Sequence, residues 1–156
     1  MQKITPFLWF DKEAGEAARF YTSVFKNVKI SDQETLNDTP SGEVQIYNIE
    51  LMGQRFTLMN AGPEFKFNEA ISFVIDCNDQ EEVDYYWEKL TSDGGSESMC
   101  GWLKDKFGVS WQVVPRQLGE LLSKDKTGKV LQAMLKMKKL DIAELQKAYN
   151  ETMKNY

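Results

Sequence analysis

Residues 70–90 read AISFVIDCNDQEEVDYYWEKL, and within them one periodicity gives way to another. Residues 70–77 are rich in β-branched and aromatic types, the composition of a strand. From Asp79 onward, Val83, Tyr86, Trp87 and Leu90 follow the i, i+3, i+4, i+7 spacing of an amphipathic helix, and Asp79 with Glu82 makes a capping box. The same succession opens the chain. Residues 3–10 (KITPFLWF) predict a strand, with Pro6 marking an edge or bulge. Asp11 is the expected helix cap, and Ala14, Ala17, Ala18, Tyr21, Val24 and Phe25 lie on one helix face. Ala17, Phe20, Tyr21 and Val24 recur 66 positions on as Val83, Tyr86, Trp87 and Leu90. An aromatic pair at the same helix depth twice marks an internal duplication.

Outward from these segments, residues 27–35 predict a second strand and 36–42 (LNDTPSG) a turn-rich loop. Residues 44–52 and 54–60 form a hairpin about Gly53, and 61–68, with Gly62 and Pro63, a linker. In the second copy, 92–96 reads as a loop and 100–105 with 109–114 as a hairpin, which sets Thr57 against Gln112. The expected fold class is α+β: two βαβββ modules, roughly 1–61 and 69–115, forming a curved mixed sheet around a cleft. A helical tail, 116–156, completes a single domain over 1–156. Its predicted helices cover 118–122, 129–138 and a segment capped by Asp141 with Glu144. One stripe is Leu131, Met134, Leu135 and Lys138, and another Ile142, Leu145, Ala148 and Tyr149.

With 19 basic against 24 acidic side chains, the net charge of -5 gives no global field toward nucleic acid or anionic membrane, so neither is an expected partner. The lysines of 124–139 alternate with Leu and Met at helical spacing, the pattern of a solvated helix face. The two cysteines lack CxxC spacing and the chain has no histidine, which excludes the usual zinc sets. No leader-like segment opens the chain, and no apolar run reaches the ~18 residues of a membrane span. A cytoplasmic location with both thiols free is expected.

Residues 100–115, CGWLKDKFGVSWQVVP, resemble the closing hairpin of the PhnB-like branch of the glyoxalase, bleomycin-resistance and dioxygenase (vicinal oxygen chelate) superfamily. FLWFDKEAGEAARFYTSVF (7–25), FVIDCNDQEEVDYYWEKL (73–90) and VLQAMLKMKKLDIAELQKAY (130–149) extend the resemblance. It implies paired βαβββ modules, a central cleft and a homodimer. Relatives of this branch are often labelled 3-demethylubiquinone 3-methyltransferase, yet no GxGxxG-like turn follows any strand here, so methyl transfer is not expected.

Metal-dependent members of the superfamily hold one divalent ion through His, Glu or Gln on the first and last strands of the modules. The resemblance carries those positions to Ile4, Thr57, Ile71 or Ser72, and Gln112, of which only Gln112 is a ligand type. An open catalytic site takes about three protein ligands. The expectation is therefore a cleft with no metal and no cofactor, although Glu43, Glu50 and Glu69 could reach it from shifted registers. Its candidate ligand-binding residues are Gln112, Trp102, Thr57, Asn60, Ser72, Trp9 and Cys100. Each has a plainer role too: Gln112 as a hydrogen-bonded core glutamine, Trp9 and Trp102 as core, Cys100 as a packed thiol beside Lys104 and Lys106. The carboxylates Asp76, Asp79, Glu81 and Glu82 sit where helix capping explains them. Three function classes follow: a small-molecule binder, an enzyme with a non-standard metal site, and an interaction module built on the tail. The residue types present name no reaction.

Overall fold

Strand β1 (Phe7–Phe10) buries Leu8 and Phe10 and turns Phe7 and Trp9 to its other face, so a four-residue strand already separates two environments. The computed structural model to which it belongs describes residues 1–155. Two units divide the chain, Met1–Phe67 and Asn68–Tyr156.

In the first unit, β1 is followed by α1 (Ala14–Val24), β2 (Val28–Thr39), β3 (Gly42–Leu51) and β4 (Gln54–Asn60), with strand order β1-β4-β3-β2. The β1–β4 pair is parallel and the others antiparallel. Helix α1 buries Ala14, Gly15, Ala17, Ala18, Tyr21 and Val24, small residues that bring it close to the sheet. A Cβ at Gly15 would meet the Tyr47 hydroxyl at 2.9 Å, so any larger residue there would have to push the tyrosine tip aside. Across from it lie Leu8, Phe10, Ile49, Leu51, Phe56 and Leu58, each side chain worth about 1.5–3 kcal/mol on burial.

Two expectations change here. Asp11 does not cap α1: no side chain of the N-cap residue bonds to the helix, and Asn60 Oδ1 of β4 accepts from Ala14 N–H at 2.7 Å. A partner brought by tertiary structure takes the place of the local one. The 36–42 loop is also absent as such, because β2 runs on to Thr39 and only a tight turn leads to β3. Asp38 sits at φ +58 where the β2–β3 register shifts, so the turn-forming residues are spent on a bulge.

The second unit repeats the plan with β5 (Ser72–Cys77), α2 (Gln80–Thr91), β6 (Ser96–Glu97), β7 (Trp102–Lys104) and β8 (Ser110–Pro115), in order β5-β8-β7-β6. The fold is thus α+β with two βαβββ modules, each a mixed four-stranded sheet. Short β6, within and just beyond the expected 92–96 loop, supplies the outermost strand and pairs with β7. Asp79 caps α2 as its spacing predicts, accepting from Glu82 N–H at 2.9 Å, while Glu82 accepts from Asn78 N–H at 2.8 Å. Val83, Tyr86, Trp87 and Leu90 are the buried residues of α2, and Trp87 Nε1–H donates to Glu97 of β6 at 2.7 Å. Buried Asp105 shapes the β7–β8 turn by accepting from the N–H groups of Phe107 (2.9 Å) and Val109 (3.0 Å) and from Trp111 Nε1–H (2.9 Å).

The duplication is visible in hydrogen bonds. Ala61 N–H closes on Phe10 O at the end of the first parallel pair, and Arg116 N–H on Cys77 O at the end of the second. Stepping back four residues from each makes Thr57 the counterpart of Gln112.

The tail consists of α3 (Gln117–Lys124), α4 (Lys129–Leu135) and α5 (Ile142–Thr152). Leu118, Leu121, Val130, Leu140 and Leu145 form its buried cluster, against which Val114 of β8 packs. Helix α4 stops short of the expected 138, because the next residues serve the sheet: Met137 O and Lys138 O accept from Cys100 N–H (2.7 Å) and Gly101 N–H (2.8 Å). Gln80 of α2 bonds the tail at both ends of its amide, donating to Leu140 O (3.1 Å) and accepting from Ile142 N–H (2.8 Å). Asp141 caps α5 through Glu144 N–H at 3.1 Å. No helix among the described residues is long and apolar enough to cross a membrane.

Candidate functional site

Alternation along β8 sends Trp111 and Val113 toward α2, where both are buried, and leaves Gln112 and Val114 on the opposite face. Gln112 lies in register with Val74 of β5 and Trp102 of β7. Its Nε2–H donates to Ser72 Oγ at 2.9 Å, tying the last strand of the module to the first. Gln112, Ser72 and Trp102 therefore come together on one sheet face, half-buried, beside the exposed side chain of Val74.

The same face continues into a pocket of about 200 Å³ lined by Glu69, Ser98, Trp102, Leu103, Lys104 and Ser110. Trp102 belongs to both. Lys104 Nζ and Glu69 Oε2 are 2.7 Å apart in a largely exposed pair. The hydrogen bond from Lys104 holds the Glu69 carboxyl below its usual range, with the lysine's charge adding to the effect. Ser110, in register with both Lys104 and Ser72, is 2% exposed, and among the described residues its hydroxyl has no hydrogen-bond partner. An unsatisfied buried hydroxyl costs about 1–3 kcal/mol, so its retention beside a pocket is informative. Composition gave no sign of this serine; strand alternation from Gln112 would have found it.

In the first module, Thr57 and Met59 of β4 face the same way as Phe7 and Trp9 of β1. Thr57 Oγ1–H donates to Asn48 Oδ1 at 2.8 Å, so the counterpart of Gln112 is also a polar side chain, but its partner lies on β3 at the place that Trp102 holds on β7. Trp9 Nε1–H donates to Gly62 O at 2.9 Å, and its ring meets Phe65 edge-on with centroids 4.9 Å apart. Asn60 serves the helix side, its Oδ1 on Ala14 N–H and its Nδ2–H on Gln45 Oε1 at 3.2 Å. Cys100 stands outside the strands in a turn at φ +59, its N–H committed to the tail. Cys77 is buried, and burial pushes its thiol up to about 12, reinforced by Glu82, Asp76 and Asp79. A thiol so held is protonated and unreactive near neutrality.

The residues to which the family resemblance carries the metal-ligand positions are poor ligand types for a divalent ion. Ile4 and Ile71 are exposed apolar side chains, and the rest offer only hydroxyls and the amide of Gln112, engaged with Asn48 and with each other. Hard cations of this kind are held by carboxylates and imidazoles in numbers that this set lacks. Among the described residues, no group of three or more His, Cys, Asp or Glu side chains is placed to hold one.

Residues 2–114 match the family profile described as 3-demethylubiquinone-9 3-methyltransferase. The match takes in the modules and stops before the tail, so the 130–149 segment lies outside it. The PhnB protein from Bacillus cereus is 32% identical, with 73% of this chain and 99% of that one covered, at a TM-score of 0.65. Protein PA1353 from Pseudomonas aeruginosa (21% identity, 74% and 98% covered, TM-score 0.58) and the fosfomycin resistance protein FosX from Listeria monocytogenes (16%, 78% and 96%, TM-score 0.57) share the fold. No curated protein matched. On the profile match and the Bacillus cereus relative together, this chain belongs to the 3-demethylubiquinone-9 3-methyltransferase family, the PhnB-like branch of the glyoxalase superfamily.

Proposed function

We propose that this protein binds a small molecule without a metal, on the strand face of its second module, with Gln112 as the polar anchor and Trp102 as the apolar wall. The observation that carries the reading is the Gln112–Ser72 hydrogen bond set between Trp102 and the exposed Val74. A few placed polar groups among apolar and aromatic side chains is the usual make-up of a small-molecule site. Asn60 and Cys100 have structural duties instead, and we leave them out of the site.

Methyl transfer, the reaction in the family's description, finds no support in the strand-to-helix connections. They read Asp11-Lys12-Glu13, Asn78-Asp79 and Arg116, without the glycines that let a backbone cradle a nucleotide-type cofactor. The tail does not favour the interaction-module reading, since Val130, Leu140 and Leu145 are fully or almost fully buried. We also take the protein to be a cytoplasmic homodimer, on the family resemblance and the two free cysteines.

A thermal-shift screen of compounds with an aromatic or branched apolar body and one hydrogen-bonding group tests the function. Hits should raise the melting temperature of the parent protein, and their affinity should fall roughly tenfold on Gln112→Ala. Failure of every compound to stabilise the protein, or hits that bind the Gln112→Ala and Trp102→Ala variants as tightly as the parent, would refute it. Light scattering on the eluting protein reports the dimer.

A further inference from the structure

We infer that the pocket beside Trp102 is a subsite for a zwitterion of amino-acid size, whose carboxylate is received by Lys104 and Ser110 and whose ammonium is received by Glu69. The inference rests on the binding function proposed above and specifies the head group that the site selects. Three observations support it. First, the pocket's volume of about 200 Å³ falls below the roughly 300–1,000 Å³ of drug-sized sites, which limits the occupant to a compact group. Second, its rim carries one ammonium and one carboxylate, Lys104 and Glu69, 2.7 Å apart and both reachable by solvent. An exposed pair of this kind is weak and exchanges readily for ligand groups of the same charges.

Third, Ser110 leaves a hydroxyl in register with Lys104, buried and without a partner among the described residues. A carboxylate on Lys104 would accept that hydroxyl's proton in a charge-assisted hydrogen bond. Charge balance selects among ligand classes. A phosphate dianion would be repelled by Glu69, and a simple cation by Lys104; a zwitterion satisfies both and leaves its side chain to Trp102.

Amide and indole N–H shifts of the full chain, followed during titration, distinguish these cases. The probes are L-leucine, N-acetyl-L-leucine, which keeps only the anion, and L-leucinamide, which keeps only the cation. Leucine should move Ser110, Lys104 and the Trp102 indole, and each derivative should bind at least tenfold more weakly. Ser110→Ala should weaken leucine binding roughly tenfold or more while melting no lower than the parent, because it removes an unsatisfied group. Glu69→Gln should erase the preference for leucine over N-acetyl-leucine. Equal binding of leucine and either derivative overturns the zwitterion, as does an absence of shifts at Ser110 and Lys104 with every probe. Should shifts or screening hits nevertheless centre on Gln112 and Ser72, the binding face stands and only the subsite falls.

Discussion

Gly101 sits at φ +84 in the turn before β7, and a Cβ built on it would meet Val113 O at 2.9 Å and Leu140 Cδ1 at 3.0 Å. The first contact is with backbone, which cannot step aside, because Val113 N–H also donates to Gly101 O at 2.8 Å. Gly101→Ala therefore carries two penalties. The left-handed conformation costs a non-glycine residue about 1–2 kcal/mol, and forcing a methyl group into a filled space about 1–3 kcal/mol more. Gly128 separates the two, since it lies in the same unit at φ +82 with nothing within 4 Å of a Cβ, so Gly128→Ala should cost only the first.

Urea unfolding followed by tryptophan fluorescence suits the comparison, because Trp87, Trp102 and Trp111 lie in the second unit and only Trp9 in the first. Gly101→Ala should lose about 2–5 kcal/mol and Gly128→Ala about 1–2 kcal/mol, with unchanged slopes. Leu140→Ala alone should cost about 2–5 kcal/mol, and combined with Gly101→Ala less than the sum, since the shortened side chain makes room for the new methyl. Equal losses at Gly101 and Gly128, or strict additivity with Leu140, would show that the tail does not press on this turn.

Asp105→Asn replaces one carboxylate oxygen with a donor, so the amide cannot accept from the indole of Trp111 and the turn N–H groups together; a loss of about 1–3 kcal/mol is expected in the same assay. Cys77 gives a pH dependence. Its folded value of about 12 lies above the ordinary thiol value of 9.0, so its contribution is intact below pH 9 and declines from there toward 12 as the unfolded chain loses the proton first. The urea midpoint should fall between pH 8 and pH 10 by more in the parent than in Cys77→Ala, and a native thiol titration should count Cys77 only after denaturant is added. Truncation after Arg116 removes Leu118, Leu121, Val130, Leu140 and Leu145 together and uncovers Val114; limited proteolysis should find the second unit unfolded while a stable fragment near Met1–Phe67 survives.

Where residue pattern and tertiary structure demand the same thing, the elements are legible from sequence. The two module helices are the clearest case, since their buried residues are the periodic ones and Asp79 caps α2 where its spacing predicts. Asp11 misleads because a cap is only a hydrogen-bond acceptor, and Asn60, 46 residues after Ala14, reaches the same N–H. Two-residue β6 is too short for any period, and β2 reads as loop after Thr35 because its exposed edge positions take turn-forming residues. At the site, Gln112, Ser72 and Trp102 follow from alternation and strand register. Cys100 does not, since the strand predicted from residue 100 begins only at Trp102, and the lack of a partner for the Ser110 hydroxyl among the described residues depends on neighbours that no local pattern names.

The two modules have kept one scaffold and diverged on one face. Thr57 and Gln112 correspond, but Thr57 bonds Asn48 of β3, at the place that Trp102 holds on β7, whereas Gln112 bonds Ser72 of β5, next to the Lys104, Glu69 and Ser110 pocket. The tail, which lies beyond the family match, is bound into the second unit through Gln80, Cys100 and Gly101. Cys100, held at φ +59, is a strained conformation for a side-chain-bearing residue, and the hydrogen bond to Met137 helps to offset that strain. The turn it forms leads directly into Trp102, the residue shared by the Gln112 face and the pocket. A segment added to the family's core thus fixes the entry to the strand on which the proposed site depends, and changes at Leu140 or Gln80 should be felt in ligand affinity as well as in stability.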